Sequence, residues 1–204
     1  VKIVKSNTLK GYCMKKIIAL LCVLLFTAGL VFADESGDEY DDGYVYEANG
    51  SGDHFLKIGL VPLFPLNFGN KLHVGGAFEI GYYQFITKSL ALGGEVNASF
   101  NITLGSNALT MIPFTFGVMY QPTFGKFEIP FSVSAGFAYE TAQNAPYFPG
   151  FALNAEAGVF YRLSEMWSFG GMGKFLWLPQ WFANPEYTKN GFFAGAVVCA
   201  RYHF

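Results

Sequence analysis

Few residues of this 204-residue chain stand where catalysis would need them. The three histidines, His54, His73 and His203, share no recognisable spacing with a serine and a carboxylate, the constellation that nucleophilic hydrolysis requires. We therefore name no catalytic residue and expect no enzyme. Of the three cysteines, Cys13 and Cys22 precede the expected export-cleavage point, so Cys199 would remain alone in the mature chain. One thiol makes no internal disulfide, and no Cys/His spacing suits zinc. A run of eight acids without a base (Asp34, Glu35, Asp38, Glu39, Asp41, Asp42, Glu47, Asp53) lacks the ligand spacing of a calcium loop. It reads as a solvated tether. No cofactor or metal is expected. With no basic patch, nucleic acid is not an expected partner.

The charges that remain are sparse but patterned. From His54 to Phe204 there are seven acids and eight bases, well below the quarter of residues that a soluble domain usually charges. Eight of them, Lys57, Glu79, Glu95, Glu128, Glu156, Arg162, Lys174 and Arg201, fall on the polar side of a period-two alternation, four of each sign. Segments of about ten residues carry that alternation. In one, Phe127, Ile129, Phe131, Val133, Ala135, Phe137 and Tyr139 alternate with Glu128, Pro130, Ser132, Ser134, Gly136 and Ala138. Successive strand side chains point to opposite faces, so one face is apolar and the other small and polar. The last segment repeats the pattern from Phe192 to Phe204.

We place strands at 55–64, 73–85, 90–101, 108–120, 127–140, 151–162, 167–178 and 191–204. Short links at 87–89, 121–126 and 163–166 read as periplasmic turns, and 65–72, 102–107, 141–150 and 179–190 as outer loops. The expected fold is all-β: a closed antiparallel transmembrane β-barrel, an up-and-down meander of about eight strands. Alternation alone also fits a soluble barrel with its apolar face inward. The polar face, mostly Gly, Ala and Ser with few charges, makes a poor water-facing surface but fills a narrow lumen. The apolar face sets Trp167, Trp177, Tyr82, Tyr120, Tyr139, Tyr161 and Tyr202 near strand ends, where aromatic girdles lie. That face is taken as outward, toward outer-membrane lipid.

The N-terminal region reads as an address. Met14-Lys15-Lys16 supplies a positive start, Ile17 to Val31 is an apolar stretch, and Val31-Phe32-Ala33 offers a cleavage site. Residues 1–33 are thus expected to be a signal peptide, with 1–13 an extension ahead of the better start at Met14. Residues 34–53 form the acidic periplasmic segment and 54–204 the barrel. A lipoprotein site at Cys22 is disfavoured by the preceding Leu21. Two glycosylation sequons, at Asn97 and Asn101, are read as chance.

Two readings of the lumen follow. The eight charges could form a paired structural network that plugs the barrel, or a constriction that passes or refuses solutes. An open aqueous pore is not expected at eight strands. Met111, Met172, Leu176, Leu178 and Phe193 lie on the inward parity near the outer half. They either fill the lumen or line a small hydrophobic recess. Pro62, Pro113 and Pro179 are expected near strand ends, where pairing stops, or at a gap toward lipid.

Several stretches resemble the OmpW/OprG-type family of small eight-stranded outer-membrane barrels over most of residues 55–204. They are Lys57-Ile58-Gly59 with Pro62 or Pro65, Gly81-Tyr82-Tyr83 leading to Thr87-Lys88-Ser89-Leu90-Ala91-Leu92, Met111-Ile112-Pro113-Phe114-Thr115, Pro130-Phe131-Ser132-Val133-Ser134-Ala135-Gly136, and Ala157-Gly158-Val159-Phe160-Tyr161. The closing Ala200-Arg201-Tyr202-His203-Phe204 ends in the aromatic signal, Tyr202 and Phe204, that the barrel assembly machinery reads in such proteins. The resemblance implies the bacterial outer membrane and a narrow channel for small hydrophobic or amphipathic solutes, with lateral exit into the bilayer. The competing expectation is a structural or surface-interaction barrel with a plugged lumen. A lipid-modifying barrel enzyme comes third.

Overall fold

A computed structural model describes residues 49–103, 105, 107–142, 145–182, 186 and 188–204. The expected signal peptide and most of the acidic segment lie outside these residues. The long strands are β1 (His54–Pro65), β2 (Gly75–Phe85), β3 (Leu90–Ile102), β4 (Ala108–Tyr120), β7 (Phe131–Ala142), β8 (Ala145–Arg162), β9 (Trp167–Gln180) and β10 (Lys189–His203). Two residues each form β5 (Thr123–Phe124) and β6 (Phe127–Glu128). The eight long strands pair antiparallel in meander order, and β1–β10 and β8–β9 pairing closes the barrel. Closure satisfies the backbone groups that an open edge would leave unpaired.

Period two sets the two faces. Leu60, Phe116, Tyr120, Val133, Phe169 and Val198 are exposed on the outside, whereas Lys57, Glu79, Asn154 and Arg201 are buried within. An apolar exterior around a polar interior inverts the soluble arrangement and suits lipid as the surrounding solvent. Inside, glycines make room for large neighbours. A Cβ on Gly93 would come 2.3 Å from the Tyr83 ring, and one on Gly195 2.5 Å from Val61 Cγ1. Each small residue thus accommodates a bulky one from the adjacent strand, filling the narrow bore.

Three expectations about boundaries change. The strand expected at 127–140 is interrupted at Ile129 and Pro130, because Pro130 has no N–H for the ladder; its carbonyl still accepts from Gly158 N at 3.1 Å. The loop expected at 141–150 is largely strand, since β8 begins at Ala145 and pairs with β7 up to Ala142↔Ala145. Pro62 and Pro113 lie inside their strands rather than ending them. The β1–β10 register passes from Leu60↔Val198 to Leu63↔Gly195 around Pro62. The β3–β4 register likewise passes from Val96↔Phe114 to Ser99↔Met111 around Pro113. Pro179 does fall at the end of β9, next to Gln180.

Both ends of the barrel sequence share one rim, where His54 N donates to Phe204 O at 3.1 Å and Phe204 N to His54 O at 3.0 Å. Phe204 stacks on His54 and Tyr202, with centroids 5.7 and 5.9 Å apart. This rim is called the terminal end below, and the opposite rim the loop end.

Candidate functional site: a closed lumen beneath an apolar recess

Strand register divides the eight inward charges into two clusters. At mid-lumen, Lys57 of β1 meets Glu156 of β8 at 2.7 Å and Glu79 of β2 at 3.1 Å, and also pairs with Glu95 of β3. Lys174 of β9 faces the same three acids, 2.5 Å from Glu79, 2.7 Å from Glu156 and 3.9 Å from Glu95. Tyr83 OH donates to Glu95 at 2.7 Å, and Asn154 Nδ2 to Glu95 at 3.2 Å and Glu156 at 3.1 Å. The oxygens of the three glutamates lie within 4.8 Å of one another, a spacing that could hold a cation. Here two ammonium groups already supply the positive charge.

The second cluster lies toward the terminal end. Arg162 donates to Glu128 Oε1 at 2.8 Å, to Asn49 Oδ1 at 3.1 Å and to Glu165 O at 2.9 Å. Arg201, fully buried, donates to Gln121 Oε1 at 2.7 Å and lies 3.8 Å from Glu128. Its guanidinium carbon sits 3.5 Å from the Phe160 ring centroid and 4.7 Å from that of Phe55. Cation–π contact is strongest where the cation is desolvated, as it is here.

One nucleophile–base pair emerges that spacing did not reveal. Ser168 Oγ and His203 Nε2 are 2.9 Å apart. Arg162 Nη1 lies 2.9 Å from His203 Nδ1 and 3.1 Å from Nε2, so the imidazole contacts the buried Arg162–Glu128 pair as well as the serine. His73, by contrast, is exposed at the loop end, where its backbone carbonyl accepts from Asn101 Nδ2 at 2.9 Å.

Above the mid-lumen charges the interior is mixed: Asn97, Ser99 and Asn101 of β3 are buried there, beside a larger group of apolar side chains. A cavity of about 240 Å³ at the loop end is lined by Phe68, Leu72, Leu109, Met111, Leu178 and Phe193, with Glu140 and Gln180 in its wall. Lys71 and Lys189 also line it, and both are exposed. Three of the five residues expected in a recess thus line one. Leu176 opposes Phe193 across the β9–β10 ladder and packs in the same buried apolar cluster. Met172 belongs to that buried cluster as well but does not line the cavity: it precedes Lys174 by one inward position, toward the terminal end, and its Sδ lies 3.9 Å from Arg201 Nη2. Strand parity alone does not report height in the barrel, so it does not separate Met172 from the residues beyond the charges.

Glu140 continues the inward parity that runs from Glu128 of β6 through Ala138 of β7, a signal present in the sequence. Its Oε2 accepts from Gln180 Nε2 at 2.6 Å. That bond crosses a stretch where the wall has no ladder. The β8–β9 pairing ends at Leu153↔Trp177, while β8 continues along β7 to Ala145 and β9 along β10 to Gln180. Tyr147 OH donates to Trp181 O at 3.2 Å and accepts from Trp181 N at 2.9 Å. Outside, the Phe151 ring lies 5.9 Å from Trp177 and 5.6 Å from Trp181. Side chains therefore close this seam where backbone pairing does not.

Comparison with known proteins agrees with this architecture. A protein-family model matches residues 36–202. An uncharacterized protein of Treponema pallidum is 31% identical over 177 residues, covering 78% of this chain and 80% of its own length. A second from the same organism is 24% identical and is covered over 61% of its length. Among solved structures, Neisserial surface protein A superposes with a TM-score of 0.63 at 11% identity, over 75% of this chain and 99% of that one. The outer membrane protein OprG of Pseudomonas aeruginosa gives 0.52 at 11% identity, over 77% and 98%. At these identities the likeness concerns the fold: an eight-stranded barrel of the outer-membrane type. The chain belongs, with its 31%-identical Treponema pallidum relative, to one protein family, and it carries the fold of the small outer-membrane β-barrels.

Proposed function

We propose that this protein resides in a bacterial outer membrane and takes small hydrophobic or amphipathic solutes into its loop-end recess, passing them to the bilayer through the wall. The observation that carries this reading is the order of the interior: an apolar cavity of about 240 Å³ lies above a lumen closed by buried ion pairs. A solute entering the recess meets desolvated charges if it moves farther down, a costly path for an apolar molecule. The unladdered β8–β9 seam beside Glu140 and Gln180 supplies the sideways alternative. The OmpW/OprG-type resemblance, with its lateral exit, points the same way. The exposed apolar belt supports lipid as the surrounding partner.

The test uses vesicles whose outer leaflet is lipopolysaccharide, with and without the refolded protein. Naphthalene entry should rise with protein, and entry of a sugar of similar size should not. Met111→Trp, which fills the recess, should return naphthalene entry toward the protein-free rate. Equal entry of both solutes, or unchanged entry through the Met111→Trp protein, would refute the reading. A surface-interaction barrel is the second reading, favoured by the same closure of the lumen. It gains if neither solute responds to protein.

A further inference from the structure

The recess is not uniformly apolar, and its one buried acid is incompletely satisfied. Glu140 is 4% exposed, and its Oε1 has no hydrogen-bond partner among the described residues. Other buried polar atoms are orphaned too, in Asn49, Asn97, Asn101, Gln121, Asn154 and Arg201, but none of those residues lines the recess. Lys71 and Lys189 line the recess, yet no ion pair joins either to Glu140 among the described residues. Gly150 of β8 stands beside the orphaned oxygen, and a Cβ there would come 2.8 Å from it. A buried carboxylate oxygen without a donor is costly, and a native site that keeps one has an unmet acceptor to offer.

We propose that the recess selects amphipathic molecules whose polar end is a hydrogen-bond donor, an ammonium or hydroxyl group, received by the Glu140 carboxylate while the apolar body lies against Met111, Leu178 and Phe193. This rests on the recess being a solute site, as argued above, and specifies its substrate class. Gln180 holds one carboxylate oxygen and so orients the other. Leu178 and Phe193 supply the apolar contact that a short alkyl chain needs. An engineered apolar cavity of about 150 Å³ holds benzene, so this one suits roughly eight to ten heavy atoms. The exposed lysines would favour the opposite polarity, an anionic end held at the mouth, and this is the alternative that the experiment must separate.

The protein, labelled with ¹³C-methyl methionine and refolded in lipid nanodiscs, would be titrated with n-octylamine, 1-octanol, octanoate and n-octane while the Met111 methyl resonance is followed. A charge-assisted hydrogen bond gives about a tenfold preference for octylamine over octanoate. Glu140→Gln should bring that ratio to within about twofold while leaving octane binding unchanged. Gly150→Ala, which displaces the carboxylate from its other side, should lower the ratio independently. Octanoate binding as tightly as octylamine, or a ratio unchanged in Glu140→Gln, would overturn the donor assignment while octane binding keeps the recess a solute site. A Met111 methyl insensitive to all four probes would overturn both.

Discussion

Replacing Lys57 with Met tests the plug most directly, because it removes a charge and keeps the unbranched shape. The mid-lumen cluster holds two lysines and three glutamates, a formal charge of −1. Lys57→Met takes it to −2 and leaves Lys174 to serve three acids. Removing one partner of a buried pair costs about 3–5 kcal/mol, chiefly from the charge left uncompensated. Glu95 is the acid to change alongside it, since it lies 3.9 Å from Lys174, against 2.5 and 2.7 Å for Glu79 and Glu156. Lys57→Met/Glu95→Gln restores the charge to −1 and preserves both short contacts of Lys174. The double variant should therefore be more stable than Lys57→Met by about 2 kcal/mol, within the range of coupling between contacting residues. Urea unfolding in lipid vesicles, followed by tryptophan fluorescence and by the gel mobility of folded barrel, measures both differences. A Lys57→Met loss below about 1 kcal/mol, or a double variant no more stable than the single, would refute the idea that charge compensation closes this lumen.

Further outcomes follow from the same packing. A Cβ on Gly117 would lie 2.1 Å from Val133 O and 2.5 Å from Ser134 Cα, whereas one on Gly173 meets nothing closer than 3.8 Å. Gly117→Ala should cost about 1–3 kcal/mol and Gly173→Ala less than about 0.5 kcal/mol in the same unfolding assay. Deleting Phe204, which is exposed at the rim and stacked on His54 and Tyr202, should sharply reduce folded barrel in cells and spare refolding in vitro; equal cellular yield would dismiss it as an assembly signal. Buried Cys199 should react with a maleimide only after unfolding, and labelling of the folded barrel would contradict the packed lumen.

Much of the architecture follows from sequence alone, and the physical reason is the period of two. Once Phe131, Val133 and Phe137 alternate with Ser132, Ser134 and Gly136, a strand must present one apolar and one small polar face. Eight such strands with so few charges have only one economical closure, polar side inward in lipid. Every one of the eight inward charges was assignable from that parity. Glu140 was assignable too, since it obeys the same alternation as Glu128. Boundaries were less legible, because Pro130 breaks a ladder without breaking the alternation, and β8 runs six residues past its expected start.

Only the tertiary structure decided which inward residues share a level. Parity states that Lys57 and Glu156 face inward. It is the closed register of the barrel that sets them 2.7 Å apart across 99 residues of chain. The same register separates Arg201 and Glu128 from the mid-lumen acids, puts Met172 on the terminal side of Lys174, and brings Gln180 to Glu140. It also ends the β8–β9 ladder at Leu153↔Trp177, where Pro179 in β9 and Pro146 and Pro149 in β8 lack the N–H that pairing needs but do not by themselves say at which pair it stops. Facing is a local property of each strand, fixed by backbone geometry between neighbouring residues. Height and partnership depend on how far each strand slides along the next, and that is settled only when all the strands pack at once.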